Sequence, residues 1–245
     1  TSLDLLSGGA GTDSVTGGSG VDEVSGGPGN DTLVGAGGSA DVLVESDVAS
    51  YTLTNSAASG NGSDTISGFE IASISGTTAA NVFTTSSFTG TVILDGLAGN
   101  DTFKIGGGGG NINGGSGTDR IIRSANVNMT LTNSQLVAGL AAAIAGIEAA
   151  TLTGGSSANV INAAGFSGTT IITGGAGADR LTGSRGADTI TAGSGRDTVK
   201  SGAGADTINV RNRDTDRRVD CGGGRDTVKI DRSRDTVRSN CERVR

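Results

Sequence analysis

The sequence predicts an all-β protein, a right-handed parallel β-roll or β-helix solenoid with glycine-rich turns. Three observations carry that expectation. Residues 8–34 read GGAGTDSVT, GGSGVDEVS and GGPGNDTLV, three successive nine-residue units with Gly-Gly-x-Gly, Asp at position six and an aliphatic residue at position eight. The chain holds 45 Gly but one Pro in 245 residues, and 2% of it is aromatic. A longer stretch returns at an offset of 78 residues without a gap.

Composition removes the other glycine-rich classes. Disordered chains lack regularly spaced aliphatics, and collagen needs Gly at every third position with abundant Pro. With so few aromatics, a thin core of stacked Val, Ile and Leu is expected rather than a thick globular one. A short strand followed by a six-residue turn cannot cover its single inward aliphatic. Stacked neighbours about 4.8 Å away supply that cover and pair the backbone in parallel. Two nine-residue units then make one coil, with strands alternating between two facing sheets. Position eight points in, and positions seven and nine point out. The glycines follow from turns repeated at that spacing, which leave no room for Cβ atoms and need φ > 0 at some positions.

In chain order, residues 1–44 carry the first nonapeptide series, with Asp4, Asp13, Asp22, Asp31 and, after one extra residue, Asp41. Residues 45–113 hold a first copy of a worn solenoid repeat and 114–173 a second. YTLTNS at 51 returns as MTLTNS at 129, and GFEIASISG at 68 as GIEAATLTG at 146. The duplication covers roughly 36–104 and 114–182, and pairs Asp41 with Asp119 and Asp101 with Asp179. Inside it, Asn81, Asn159 and Gly110 stand where the frame calls for the acid. Phe88 and Phe166 are equivalents expected to fill wider coils. Glu70 and Glu148 are also equivalents; an active site needs no duplicate, so a structural or surface role is expected. Residues 174–209 carry the second series, Asp179, Asp188, Asp197 and Asp206. Residues 210–245 form an Arg-rich capping segment that includes Asp226 and a Cys pair.

The acid at position six needs a partner. Carboxylates one coil apart lie some 5 Å from each other and repel by about 3 kcal/mol at an effective dielectric near 20. Such a ladder requires protons or a cation. Carboxylates and turn carbonyls offer only oxygen, which favours Ca²⁺ over Mg²⁺; Zn²⁺ lacks its usual His or Cys set. Charge is uneven: residues 1–209 hold 7 basic and 18 acidic residues, residues 210–245 hold 11 and 7. The basic segment alternates Arg with Asp and has no aromatics, so a solvated end-cap is expected, without nucleic acid as partner.

GGxGxDxUx resembles the calcium-binding nonapeptide of the repeats-in-toxin, or hemolysin-type, family. The resemblance implies a parallel β-roll with several Ca²⁺ ions held between loops by the Asp residues and by glycine-turn carbonyls. The implied ligands are Asp13, Asp22, Asp31, Asp179, Asp188, Asp197 and Asp206, followed by Asp4, Asp41, Asp101, Asp119 and Asp226. The implied carbonyl turns contain Gly9, Gly11, Gly18, Gly20, Gly27, Gly29, Gly175, Gly177, Gly193, Gly195, Gly202 and Gly204. Same-side loops pair Asp4 with Asp22, Asp13 with Asp31, Asp179 with Asp197 and Asp188 with Asp206.

Cys221 and Cys241 are 20 residues apart, about one coil plus two. That separation suits a disulfide stapling the last coil and an oxidising, extracellular setting; free buried thiols are the alternative. With no His, Ser-His and Cys-His nucleophile pairs and the HExxH zinc site are excluded. No unduplicated acid–base pair stands outside the frame, so a non-enzyme is expected. The apolar run Leu136–Ile147 is too short to span a bilayer, and no signal peptide is visible; a start at Thr1 reads as a processed or excised chain. The expected function is that of a secreted bacterial calcium-binding β-solenoid with a structural role: calcium-triggered folding and stabilisation outside the cell. A self-assembling filament or surface-layer subunit is one alternative. An adhesin that binds cell-surface polysaccharide is the other.

Overall fold

The computed structural model describes residues 3–216, 218–231 and 234–245. They contain strands, turns and bends and no helix. The chain divides into two compact units. The first runs to Asp119 and takes in Ala142–Gly146; the second holds Arg120–Ala141 and Ile147–Arg245.

In the first unit one sheet stacks Leu5–Ser7, Glu23–Ser25, Val42–Glu45, Ile71–Ser75, Thr91–Asp95 and Gly110–Asn113, all in parallel. The other begins with Ser14–Gly20, Thr32–Gly38 and Ser63–Ser67 and ends with Ser50–Thr54, Val82–Ser87 and Thr102–Lys104. Leu6 pairs with Val24, and Val15 with Leu33. Each partner is 18 residues on, so two nonapeptides make one coil, as the sequence predicts. Position-eight residues Val24, Leu33 and Leu43 are fully buried. Aromatics lie inside as well: Phe83 and Phe103 stack with ring centroids 5.1 Å apart.

The second unit repeats the plan. One sheet runs Met129–Thr132, Val160–Gly165, Arg180–Thr182, Thr198–Lys200 and Arg218–Asp220. The other runs Arg120–Ser124, Ala149–Thr153, Thr169–Ala176, Thr189–Ser194, Thr207–Asn209, Thr227–Lys229 and Arg243–Val244. The Arg-rich segment thus extends both sheets. Cys221 and Cys241 form a disulfide with Cα atoms 5.2 Å apart, and Arg238 pairs with Asp220 at 2.8 Å.

The pairing is not parallel throughout. In the duplicated stretch Ser50–Thr54 turns back on Ala57–Ser59, which turns back on Ser63–Ser67. In the second copy Met129–Thr132 pairs antiparallel with Gln135–Ala138. The repeated TLTNS explains the first reversal in each copy. Its second Thr accepts the N–H of Ser56 and Ala57 through Oγ1 of Thr54, and Oγ1 of Thr132 likewise accepts that of Ser134. A turn that short cannot carry the chain across to a parallel partner. The Asn inside it is bonded by Thr89 in one copy and Ser167 in the other. These contacts fix the wider loops in which Phe88 and Phe166 are buried.

Candidate metal centre

The acid at position six follows the last turn glycine and opens a strand, and its side chain folds back under its own turn. A Cβ on Gly8, Gly26, Gly96 or Gly174 would collide with the carboxylate of Asp13, Asp31, Asp101 or Asp179. The first glycine of each unit is therefore space for the acid that comes five residues later. The second and fourth positions have another reason. All twelve glycines expected there, from Gly9 to Gly204, have φ between 88° and 152°. A Cβ on Gly29, for example, would strike the Gly11 carbonyl of the coil below.

The two carboxylate oxygens are in different situations. One accepts a main-chain N–H from the acid of the preceding coil. Asp13 donates to Asp31 Oδ1 at 2.9 Å, Asp22 to Asp41 at 3.0 Å, Asp101 to Asp119 at 2.7 Å, Asp179 to Asp197 at 2.8 Å and Asp188 to Asp206 at 2.8 Å. Asp4 donates to Asp22 at 3.2 Å. The pairs expected between same-side loops are all present, but the link runs from main chain to carboxylate. The other oxygen, Oδ2, is buried without a hydrogen-bond partner in Asp13, Asp22, Asp31, Asp41, Asp101, Asp179, Asp197, Asp206, Asp216 and Asp226.

A buried, half-satisfied carboxylate is costly. Burial pushes the carboxyls of Asp101, Asp179, Asp197, Asp206 and Asp226 upward, and that of Asp216 to about 7. In the Asp13, Asp22, Asp101 and Asp179 turns a main-chain carbonyl shares the corner that Oδ2 occupies. The Cβ that would collide with Asp22 Oδ2 on Gly17 would also meet the Gly35 carbonyl, and at Gly96 the same holds for Asp101 and the Gly114 carbonyl. Carbonyls of position one thus share the corner with Oδ2 in these turns, a contribution the sequence reading missed. Among the described residues no three acidic or cysteine side chains converge on one point, so each corner joins a carboxylate to main chain. This donor set fits a hard divalent cation such as Ca²⁺.

Not every expected residue shares this state. Asp188 is satisfied at both oxygens, by Ser184 N–H and hydroxyl and by Thr170. Ser184 stands where other units have their second glycine. Asp4 is exposed. In the worn turns, Asn81 closes on Thr77 through both its amide oxygen and its amide nitrogen, and Asn159 accepts the Gly155 N–H. An uncharged amide that bonds its own turn leaves nothing for a cation.

The ladder also has rungs the sequence reading passed over. Asp64 accepts from Asp31, Glu70 from Asp41, Asp216 from Asp197, Asp235 from Asp216 and Glu242 from Asp226. Asp64-Thr65-Ile66, Asp235-Thr236-Val237 and Glu242-Arg243-Val244 keep the acid-x-aliphatic spacing without the glycine frame. That shorter pattern was the available signal. Glu70 is exposed and Glu148 belongs to the other unit.

Residues 4–42 and 173–208 match the family model of the RTX calcium-binding nonapeptide repeat, in four copies. The matched segments cover under a third of the chain. No curated protein matches the sequence. Among the described residues no helix is long and apolar enough to cross a membrane.

Proposed function

We propose that this chain, whose residues 4–42 and 173–208 match the RTX calcium-binding nonapeptide repeat, is a secreted structural module that folds on calcium. One observation carries the reading: a file of Asp Oδ2 atoms buried without a hydrogen-bond partner, with a main-chain carbonyl in the same corner at Asp13, Asp22, Asp101 and Asp179. In the absence of a cation these groups oppose the fold that buries them. Bound Ca²⁺ supplies the missing positive charge and couples folding to the calcium level around the protein.

The proposed ligands are the carboxylates of Asp13, Asp22, Asp31 and Asp41, of Asp101 and Asp119, and of Asp179, Asp197, Asp206 and Asp226, with carbonyls of the glycine turns. Asp4 and Asp188 are set apart from these, one exposed and the other already bonded at both oxygens. The disulfide supports an oxidising, extracellular location, where calcium is abundant. In this role the chain's own residues hold the ion and do no chemistry on it.

Circular dichroism in chelator and then in Ca²⁺ tests the reading. Chelated protein should lack most β signal and regain it on adding Ca²⁺, with Mg²⁺ much less effective. A full β spectrum in excess chelator would overturn it.

A further inference from the structure

One charged side chain outside the nonapeptide frame points into the first unit. Strand Val42–Glu45 alternates so that Leu43 and Glu45 both face inward. Leu43 is ordinary core, but Glu45 is a carboxylate only 3% exposed. Its Oε2 accepts a bond from Asn61 Nδ2 at 2.9 Å, and its Oε1 is buried with no partner. Asn61 ties Glu45 to the Asp31 turn, because its main-chain carbonyl accepts the N–H of Gly29. Gly26, the first residue of that turn, lies against the Asp31 carboxylate. Asp31 Oδ2 and the Tyr51 hydroxyl are two further buried oxygens without partners. Asp64 holds the Asp31 N–H at 3.0 Å, and its charge and that of Glu45 both act on Tyr51.

A carboxylate in an apolar interior is expensive, and the bond to Asn61 does not require one, since Gln would accept it equally well. The duplicated copy offers an internal comparison. Glu45, Tyr51, Asn61 and Asp64 correspond to Arg123, Met129, Gly139 and Ala142. The apolar positions between them persist: Leu43, Leu53, Ile66 and Ile74 correspond to Ile121, Leu131, Ile144 and Leu152. The scaffold is kept, while the four polar groups are replaced together. They behave as parts of one site.

We propose that Glu45 and Asp31 together hold one hard divalent cation, Ca²⁺ by the all-oxygen chemistry, with Asp64 and Tyr51 beside it. The inference rests on the calcium reading of the Asp31 turn and adds a ligand that the repeat does not encode. Two carboxylates neutralise the ion where other turns offer one, and calcium affinity follows ligand charge. This site therefore fills first as calcium rises.

Tyr51 is the only Tyr and the chain has no Trp, so terbium(III), a calcium surrogate excited by energy transfer from a neighbouring Tyr, reports on this site. The full chain is titrated with terbium and then with Ca²⁺, while total calcium uptake is followed by equilibrium dialysis. Emission should appear at the lowest terbium levels and be displaced by Ca²⁺. Glu45→Gln, equal in size and still able to accept from Asn61, should weaken half-saturation about tenfold or more. Glu23→Gln removes the same charge from an exposed position and should leave it unchanged. Parental titration in Glu45→Gln, or absent emission from the parent with calcium uptake intact, overturns this site and leaves the repeat reading standing. Absence of both emission and uptake overturns both. The parental measurement decides the matter even if the Gln variant does not fold.

Discussion

Where an Asp Oδ2 is buried without a hydrogen-bond partner, as in Asp197, the two oxygens divide between scaffold and proposed ligand: Oδ1 joins one coil to the next, and Oδ2 has no donor. Asp197→Asn tests that division, because it keeps Oδ1 and exchanges Oδ2 for an amide. In chelator at neutral pH the variant should be no less stable than the parent, since a buried charge has been removed. With free calcium a hundredfold above the dissociation constant it should lack about 2.7 kcal/mol of the parent's stabilisation. Undiminished calcium stabilisation in thermal melts would exclude Oδ2 as a ligand. Asp188→Asn should behave differently. Ser184 and Thr170 already satisfy Asp188, so its loss of about 1–3 kcal/mol should be the same with and without calcium. Glu70→Ala removes the acceptor of the Asp41 N–H. A deficit of about 0.5–1.5 kcal/mol, independent of calcium, is expected from melts in both conditions.

At the scale of the turn, buried acids give the calcium-free protein a distinctive response to pH. Burial holds the carboxyls of Asp216 and Glu45 up at about 7, against about 4 in an unfolded chain. Between those values the folded state binds more protons than the unfolded one. Stability is therefore fully present below about pH 4 and is lost as pH rises through about 7. In calcium the charged form is the one that is wanted, and the slope should reverse. Melting temperatures measured from pH 5 to 8 in chelator and in calcium check both signs; a calcium-free protein that gains stability as pH rises would contradict the buried-acid account. The last coil is held by a different device. Reducing Cys221–Cys241, which closes a loop of 20 residues, should cost about 3 kcal/mol. Hydrogen exchange should rise most in the strands Arg218–Asp220 and Arg243–Val244.

Over the whole chain, calcium should be unevenly distributed. The turns at 8–44 and 174–209 keep the acid, whereas Asn81, Asn159 and Gly110 have lost it within the duplicated part. Both asparagines spend their amides on their own neighbourhood. Anomalous scattering from calcium-grown crystals should show ions concentrated in those terminal turns, with Asp101 and Asp119 the central exception. As many ions between 45 and 95 as in 8–44 would refute this. The excess of acid over base in residues 1–209 acts in the same direction. Self-repulsion expands the chain until cations bind, so the hydrodynamic radius should shrink on adding calcium.

The sequence by itself determined the coil. A period of nine with one aliphatic and a glycine turn leaves few structures other than stacked parallel strands, and Leu6, Val24 and Leu43 occupy the inward places that the period assigns. It also determined which acids come together, because two units per coil put Asp13 over Asp31 and Asp179 over Asp197. Only the tertiary structure decided how each of those acids is bonded. Spacing cannot tell which oxygen meets an N–H and which is left over, nor that Ser184 removes Asp188 from the unpartnered set. Rungs such as Asp64 and Asp216 escaped because insertions break the nine-residue count before them, while their role depends only on standing at the mouth of a strand. Glu45 was the least legible. In the sequence it merely ends an apolar run. Its partner Asn61, with Tyr51 and Asp64, is brought back past the Asp31 turn by the antiparallel detour through 50–67, a path set by long-range pairing that no local pattern records.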